Sequence, residues 1–323
     1  MKRTLFLGID TSNYTTSVAL VDDDRTILLN SKHPLPVREG ERGLRQSDAL
    51  FHHVKNLPDA ADDISRCLAE YGDEIQAIGF SKTPRDVEGS YMPCFLAGQS
   101  SAAMASALLH IPAYPFSHQA GHIMAALVSA AGEKADDLMR EPFLAFHVSG
   151  GTTDLLLCEP DSERIFRITQ IGGTRDINAG QAIDRTGVRM GLSFPCGAAM
   201  DAAAMELTAP IRKPKLSVDG TWCNLSGLEN KAAALYEETG DVAGTSAYTL
   251  DFIAGTLEQM TINAIGQYGK LPVLYAGGVM SSRTIRRTLS PYGFFAEAAC
   301  SSDNAVGVAL LAREQVQKEM KHG

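Results

Sequence analysis

Hydrophobic and polar positions along the chain fall into two matching patterns. Thr4-Leu-Phe-Leu-Gly-Ile-Asp10 is apolar almost throughout and predicts a buried strand. The polar turn Thr11-Ser-Asn-Tyr-Thr15 follows. The alternating run Thr16-Ser-Val-Ala-Leu-Val21 then predicts a returning strand, and Thr26 to Ser31 a third. Helical spacing runs from Asp48 to Tyr71. Pro58 is expected to break or kink that helix, because proline removes an amide donor and crowds the preceding turn. The layout recurs in the second half. Phe143-Leu-Ala-Phe-His-Val-Ser149 is an apolar strand, Gly150-Gly-Thr-Thr-Asp154 a tight turn and Leu155-Leu-Leu-Cys158 the return. Arg164 to Thr169 predicts a third strand, and helical patterns follow.

Two halves that each open on a hairpin and continue into helices and strands predict a mixed-sheet α/β fold built by duplication. The layout resembles the actin, sugar-kinase and Hsp70 superfamily. That resemblance implies a two-lobed, duplicated α/β fold with a ligand cleft between the lobes, where two hairpin turns hold the phosphates of a nucleotide. The expected domains are an actin-like lobe over residues 1–135 and a second over residues 136–323.

Length and charge refine this picture. The 323 residues suit two domains of about 150 each. A net charge of −9 argues against a protein that grips nucleic acid unaided, because phosphate contacts dominate such affinity. Basic residues cluster locally at Arg212, Lys213 and Lys215, and again at Arg283, Arg286 and Arg287. If a nucleic acid is the substrate, a partner subunit is expected to supply much of the grip. Six cysteines without a C-x-x-C pair predict reduced thiols rather than a zinc knuckle or redox motif. The first apolar run ends at Asp10, too soon for a signal peptide, and no stretch approaches the roughly 18 apolar residues of a membrane span. A cytoplasmic protein that does not enter the membrane is expected.

Candidate chemistry sits at four places. In Ser149-Gly-Gly-Thr-Thr-Asp154, Gly150 and Gly151 let the backbone approach an anion, their N–H groups can form an anion-binding concavity, and Thr152 and Thr153 add hydroxyl donors. The Gly277-Gly278 step between an apolar run and a helix lets a ligand such as adenosine lie against the backbone and a helix N-terminus. His118 and His122 stand at i and i+4 on a helix that Pro115 and Ser117 are expected to start, so both imidazoles can reach one metal. A carboxylate must complete that set, and Asp303 is the candidate. Asp184, on a probable helix before the Pro195 loop, can bind ribose hydroxyls or be a solvated charge. His33, His52, His53, His110 and His322 are read as ordinary surface or core histidines.

In order along the chain, Leu-Gly-Ile-Asp-Thr-Ser, Ser-His-Gln-Ala-Gly-His-Ile, Val-Ser-Gly-Gly-Thr-Thr-Asp, Ala-Gly-Gln-Ala-Ile-Asp, Asn-Leu-Ser-Gly-Leu, Ala-Gly-Gly-Val and Ser-Asp-Asn-Ala resemble the TsaD family, formerly the glycoprotease or peptidase M22 family. The resemblance implies an acyltransferase. It would transfer a threonylcarbamoyl group from threonylcarbamoyl-adenylate to the tRNA adenine beside the anticodon, with small bacterial partner proteins. It implies a divalent metal, iron or zinc, on His118, His122 and Asp303; a phosphate loop at Ser149, Gly150 and Gly151; and nucleotide contacts at Asp184 and Gly197. The sequence departs from the family in its first turn, where Asn13, Tyr14 and Thr15 replace Cys, Asp and Glu. Thr152 stands for a His, Cys196 for a Gly, and Ser282 for an Asn. The altered turn leaves two alternatives open: transfer of a plain carbamoyl group from carbamoyl-adenylate to another acceptor, or a non-catalytic nucleotide- and metal-binding paralogue. A peptidase is disfavoured because the paired histidines lack the Glu of H-E-x-x-H.

Overall fold

The computed structural model describes residues 3–12, 14–36, 44–71, 74–207, 212–297 and 305–322, the side chains of Glu133 and His322 excepted. The chain forms two compact units. Residues 1–128, 161–167 and 302–323 make the first, and residues 129–160 and 168–301 the second.

The first unit is built on β1 (Thr4–Asp10), β2 (Thr15–Asp22), β3 (Ile27–Pro34), β4 (Glu74–Thr83) and β5 (Ala113–Ser117), in the order β3-β2-β1-β4-β5. β1 runs antiparallel to β2 and parallel to β4. Its helices are α1 (Gln46–Tyr71), α2 (Phe95–Leu109), most of α3 (His118–Ala131) and α10 (Val306–His322). β1 is apolar on both faces because both are covered. Leu5, Leu7 and Ile9 join Ala60 and Cys67 of α1 and Ala102 of α2 in one core. On the other face Gly8 lies opposite Gly79 of β4. A Cβ at Gly8 would strike the Ala305 carbonyl, and one at Gly79 the Val308 carbonyl at the start of α10. Two missing side chains thus form the groove that seats α10. Its outer face is tied down by Arg25, which donates to Glu314 Oε1 at 3.0 and 2.7 Å, and by the Tyr114 hydroxyl, which donates to Glu319 at 2.7 Å. A linear split at residue 135 would have put this helix with the second half.

Two local expectations change. α1 continues unbroken through Pro58. The ring is exposed, at a position where it meets no packed core, and only the amide that would pair with the Val54 carbonyl is lost. Pro115 does not open a helix; it lies in β5, where Phe80 is its neighbour in β4. Proline is tolerated there because β5 is an edge strand of the described sheet.

The second unit contains α4 (Ala135–Arg140), β6 (Phe143–Val148), β7 (Thr153–Pro160) and β8 (Phe166–Thr174), then α5 (Ala179–Arg189) and α6 (Gly197–Glu206). The short strands β9 (Val218–Asp219) and β10 (Trp222–Cys223) precede α7 (Ser226–Thr239) and α8 (Val242–Tyr268). β11 (Val273–Ala276), α9 (Arg283–Leu289) and β12 (Phe294–Phe295) complete it. The order β8-β7-β6-β11-β12 repeats β3-β2-β1-β4-β5, and the β10–β9 hairpin extends the β8 edge. β8 runs past the expected Thr169 because Gly173 and Thr174 pair with Trp222 and Cys223. In the core, Tyr275 stacks on Phe146 at 5.3 Å, and its hydroxyl and that of Thr261 lie 2.9 Å apart, so this buried phenol is satisfied.

Candidate functional site

The paired histidines lie at the start of α3. Ser117 Oγ accepts the Ala120 N–H at 3.1 Å and donates to Asp86 at 3.0 Å, so Ser117 caps the helix as its sequence position suggests. One turn in, His118 Nε2 and His122 Nε2 converge to 2.9 Å. Nitrogens on one metal at about 2.0–2.1 Å stand about 3 Å apart when cis, so this spacing fits a shared ion. His118 Nδ1 lies 2.8 Å from Asp10 Oδ2, and the other Asp10 oxygen accepts the Ser12 N–H at 3.0 Å. A carboxylate on the far ring nitrogen fixes the tautomer that presents Nε2 to a metal. Asp10 was legible only as the end of a strand; its role depends on α3, which arrives more than a hundred residues later. Among the described residues no three His, Cys, Asp or Glu side chains form a metal-binding group. Asp303, the expected carboxylate, lies outside the described residues, as does Asn13.

In the first turn, Thr11 Oγ1 donates to the Cys94 carbonyl and accepts the Gly98 N–H, both at 3.0 Å. Its hydroxyl therefore anchors the hairpin to α2. Ser12 is fully buried and Tyr14 is exposed.

The second turn is closed by the Ser149 N–H donating to the Thr152 carbonyl at 2.8 Å. The Gly151 N–H, expected to serve an anion, donates instead to Ser149 Oγ at 3.2 Å. Gly150 and Thr152 keep N–H groups without a protein acceptor among the described residues. A Cβ at Gly150 or Gly151 would meet nothing, so the protein itself does not require glycine there. At Gly180, by contrast, a Cβ would lie 2.7 Å from Gly150 Cα, so α5 packs directly beneath the loop. Ala179 N–H donates to Thr153 Oγ1 at 2.9 Å and Gly180 N–H to the Ser149 carbonyl at 3.1 Å.

A cavity of about 590 Å³ opens beside this loop. Gly150, Asp184, Gly197, Gly278 and Ser282 line it, brought from separate segments of the chain. Ser149, Gly151, Thr152 and Gly277 are not in its wall. Asp184 Oδ1 accepts the Cys196 N–H at 2.8 Å and so positions the Pro195 loop. Gly277 is held at φ 101, with its Cβ direction aimed at the Val148 carbonyl. It turns the chain at the end of β11, and Gly278 opens a 3₁₀ turn (Gly278–Ser281) before α9.

Sequence reading missed Asp201. Its carboxylate accepts from Ser282 Oγ at 2.5 Å, Arg283 N–H at 3.0 Å and Thr284 N–H at 3.1 Å. Burial pushes its pKa up, but these bonds outweigh burial and hold the carboxyl below its ordinary value. The N-terminus of α9, expected to receive a ligand, is thus already closed by Asp201. Asp176 does the same for α7, accepting the N–H groups of Leu225 at 2.7 Å and Ser226 at 3.0 Å and the Ser226 hydroxyl at 2.6 Å. Its partial burial opposes ionisation, yet these donors lower its pKa to about 2. A lone Asp some fifty or eighty positions from the helix it caps leaves no local signature.

The family model for tRNA N6-adenosine threonylcarbamoyltransferase matches residues 37–309. This chain belongs to the TsaD family. The curated TsaD relative from Enterococcus faecalis is 30% identical over 305 residues, covering 89% of this chain and 81% of its own length. One from Thermus thermophilus is 28% identical over 326 residues, covering 98% and 94%. The Methanopyrus kandleri TsaD is 26% identical, covering 86% and 76%. Among solved structures, HypF from T. kodakarensis has a TM-score of 0.56 at 12% identity, covering 99% of this chain and 48% of HypF. The Thermus thermophilus ROK hexokinase has a TM-score of 0.50 at 14% identity, covering 97% and 99%. These likenesses establish the fold as the duplicated α/β architecture of the actin-like ATPases and sugar kinases, as the paired hairpins imply. TsaD members are acyltransferases of tRNA processing. No helix among the described residues is long and apolar enough to cross a membrane.

Proposed function

We propose that this chain transfers a threonylcarbamoyl group from threonylcarbamoyl-adenylate to the N6 amine of the tRNA adenine beside the anticodon. The observation that carries this reading is the convergence of Gly150, Asp184, Gly197, Gly278 and Ser282 on one cavity. In the reaction N6 attacks the acyl carbon, a C–N bond forms, and the C–O bond to phosphate breaks. AMP leaves with the bonding pair, and N6 gives up a proton. The Gly150 N–H, in the cavity wall and without a protein acceptor among the described residues, would take charge developing on the leaving phosphate. Asp184 Oδ2, which has no partner among the described residues, would take a ribose hydroxyl while Oδ1 holds the Cys196 loop. His118, His122 and Asp303 would hold a divalent ion, iron or zinc; when bound, it supplies Lewis-acid polarisation of the acyl carbonyl. Asp10 orients the His118 ring for that task. We place the reaction in the cytoplasm, with tRNA delivered in a complex with small pathway proteins.

The test is reconstitution. Full-length protein, partner proteins, the adenylate and unmodified tRNA should yield N6-threonylcarbamoyladenosine in nucleoside mass spectrometry, with little or none from a His118→Ala variant. No product with any partner set rejects the reading. The composition of the first turn favours a second one. Beyond Asp10 it offers Thr11, Ser12, Asn13, Tyr14 and Thr15 but no carboxylate, which suits carbamoyl transfer to another acceptor. The mass of the adenylate that co-purifies with the protein separates the two.

A further inference from the structure

The basic cluster Arg212, Lys213 and Lys215 has no part in the transfer chemistry above. These residues precede β9 in the second unit and are exposed. They join Lys231 and Glu238 of α7 and Tyr248 of α8 around a separate cavity of about 370 Å³. Lys231 Nζ donates to the Lys215 carbonyl at 3.0 Å and sits 5.3 Å over the Phe252 ring, which fixes the basic segment to α7. Exposed Arg66, Arg140, Arg175, Arg185 and Arg189 elsewhere each pair with a carboxylate. Arg212 and Lys215 have no such partner among the described residues, and Lys213 has no carboxylate in ion-pair contact there but acts on Asp251 from a distance. Four cations against one carboxylate in the wall of that cavity leave a local excess of positive charge in a chain of net charge −9, and an added anion relieves its self-repulsion. The patch also extends. Burial raises the pKa of Asp251 on α8; the charges of Arg287 of α9 and of Lys213 both act against that rise and Glu258 adds to it, so cations from both clusters lie within electrostatic reach of one carboxyl. The same helix α9 begins at Arg283, in the wall of the larger cavity.

We propose that Arg212, Lys213, Lys215 and Lys231, continued by Arg287, form a track for the phosphate backbone of the tRNA substrate, running toward the cavity lined by Gly150 and Asp184. This rests on the tRNA-modifying reading above. The patch supplies phosphate contacts without base specificity, as flexible ammonium groups on an open face do. It also answers the objection raised by the acidic overall charge, because affinity depends on where cations stand rather than on their sum.

The test is the triple variant Arg212→Gln, Lys213→Gln, Lys215→Gln in the full chain. All three side chains are exposed, so thermal unfolding and binding of an ATP analogue should match the parent. Binding of a fluorescent tRNA transcript, followed by anisotropy across a salt series, should weaken at least tenfold, and the log–log salt slope should fall by about 2 to 3. Arg287→Gln should add a smaller loss. Unchanged tRNA affinity and slope overturn the proposal, as does a variant that loses only inorganic phosphate binding while holding tRNA normally. The modification assay separates the two readings. If the parent modifies tRNA and the triple variant does so with equal kcat/KM, the track is refuted and the transfer stands. If the variant loses tRNA binding while the parent modifies no adenine with any partner, the track stands and the transfer fails.

Discussion

Asp10 Oδ2 and His118 Nδ1 lie 2.8 Å apart, joining the end of the first strand to the first turn of α3. The same carboxylate holds the Ser12 N–H, so ring orientation and hairpin conformation are set together. Asp10→Asn preserves volume at this buried position but removes the charge. Metal affinity should fall about 10- to 100-fold. Metal content after dialysis against graded chelator measures this, with far-UV circular dichroism showing the fold intact. Undiminished metal retention would show that the pair is only structural.

Gly277 and Gly150 should behave in opposite ways. Gly277 has φ 101 and no room for a Cβ beside the Val148 carbonyl. Gly277→Ala should destabilise by at least about 2 kcal/mol, through backbone strain and the clash together. Gly150 has open space where its Cβ would stand, so Gly150→Ala should leave stability within about 0.5 kcal/mol. Gly150 lines the cavity, so the added methyl should lower nucleotide affinity. Denaturant unfolding and calorimetric titration with an ATP analogue read the two effects separately.

His53 sets an acid limit to stability. It is fully buried, Thr16 Oγ1 lies 2.8 Å from its Nδ1, and its Nε2 has no partner among the described residues. Burial, only partly offset by Asp10, lowers its pKa from 6.5 to about 4. Below pH 6.5 the unfolded chain takes up a proton that the folded one refuses. Stability should therefore fall between pH 6.5 and 4, by about 3 kcal/mol. In His53→Gln that portion of the pH dependence should vanish. An unchanged slope of unfolding free energy against pH would count against the assignment.

Asp176 works in the opposite direction. Its pKa, lowered to about 2, lies below its ordinary 3.8. The stabilisation it gives is complete above about pH 4 and is lost as pH falls through 2. Asp176→Asn should cost about 1 kcal/mol at neutral pH, the usual worth of a helix cap, and should flatten the acid limb. Thermal melts of parent and variant at pH 7 and pH 3 provide the comparison.

The sequence made some of this legible for physical reasons. β1, β2, β6 and β7 announce themselves because each is buried and read out by an apolar or alternating run. Gly150, Asp184, Gly197, Gly278 and Ser282 could be named from order along the chain, and they share a cavity. What stayed hidden depends on contacts between distant segments. Asp201 and Asp176 cap helices far away in sequence, and no spacing rule points to them. Pro58 does not end α1, because the helix passes it at an exposed position where the ring displaces no packed side chain. Gly8 and Gly79 carry no local signal, and only their side-by-side pairing turns them into a groove.

That groove has a consequence for synthesis on the ribosome. The helix that fills it, α10, is translated only after the whole second unit. Until then the sheet face at Gly8 and Gly79 is bare, and neighbouring apolar side chains such as Phe6 lack their cover. The second unit has all its strands in hand before the first can close. The nascent chain must therefore carry an unfinished N-terminal half, open to chaperones, through most of its elongation.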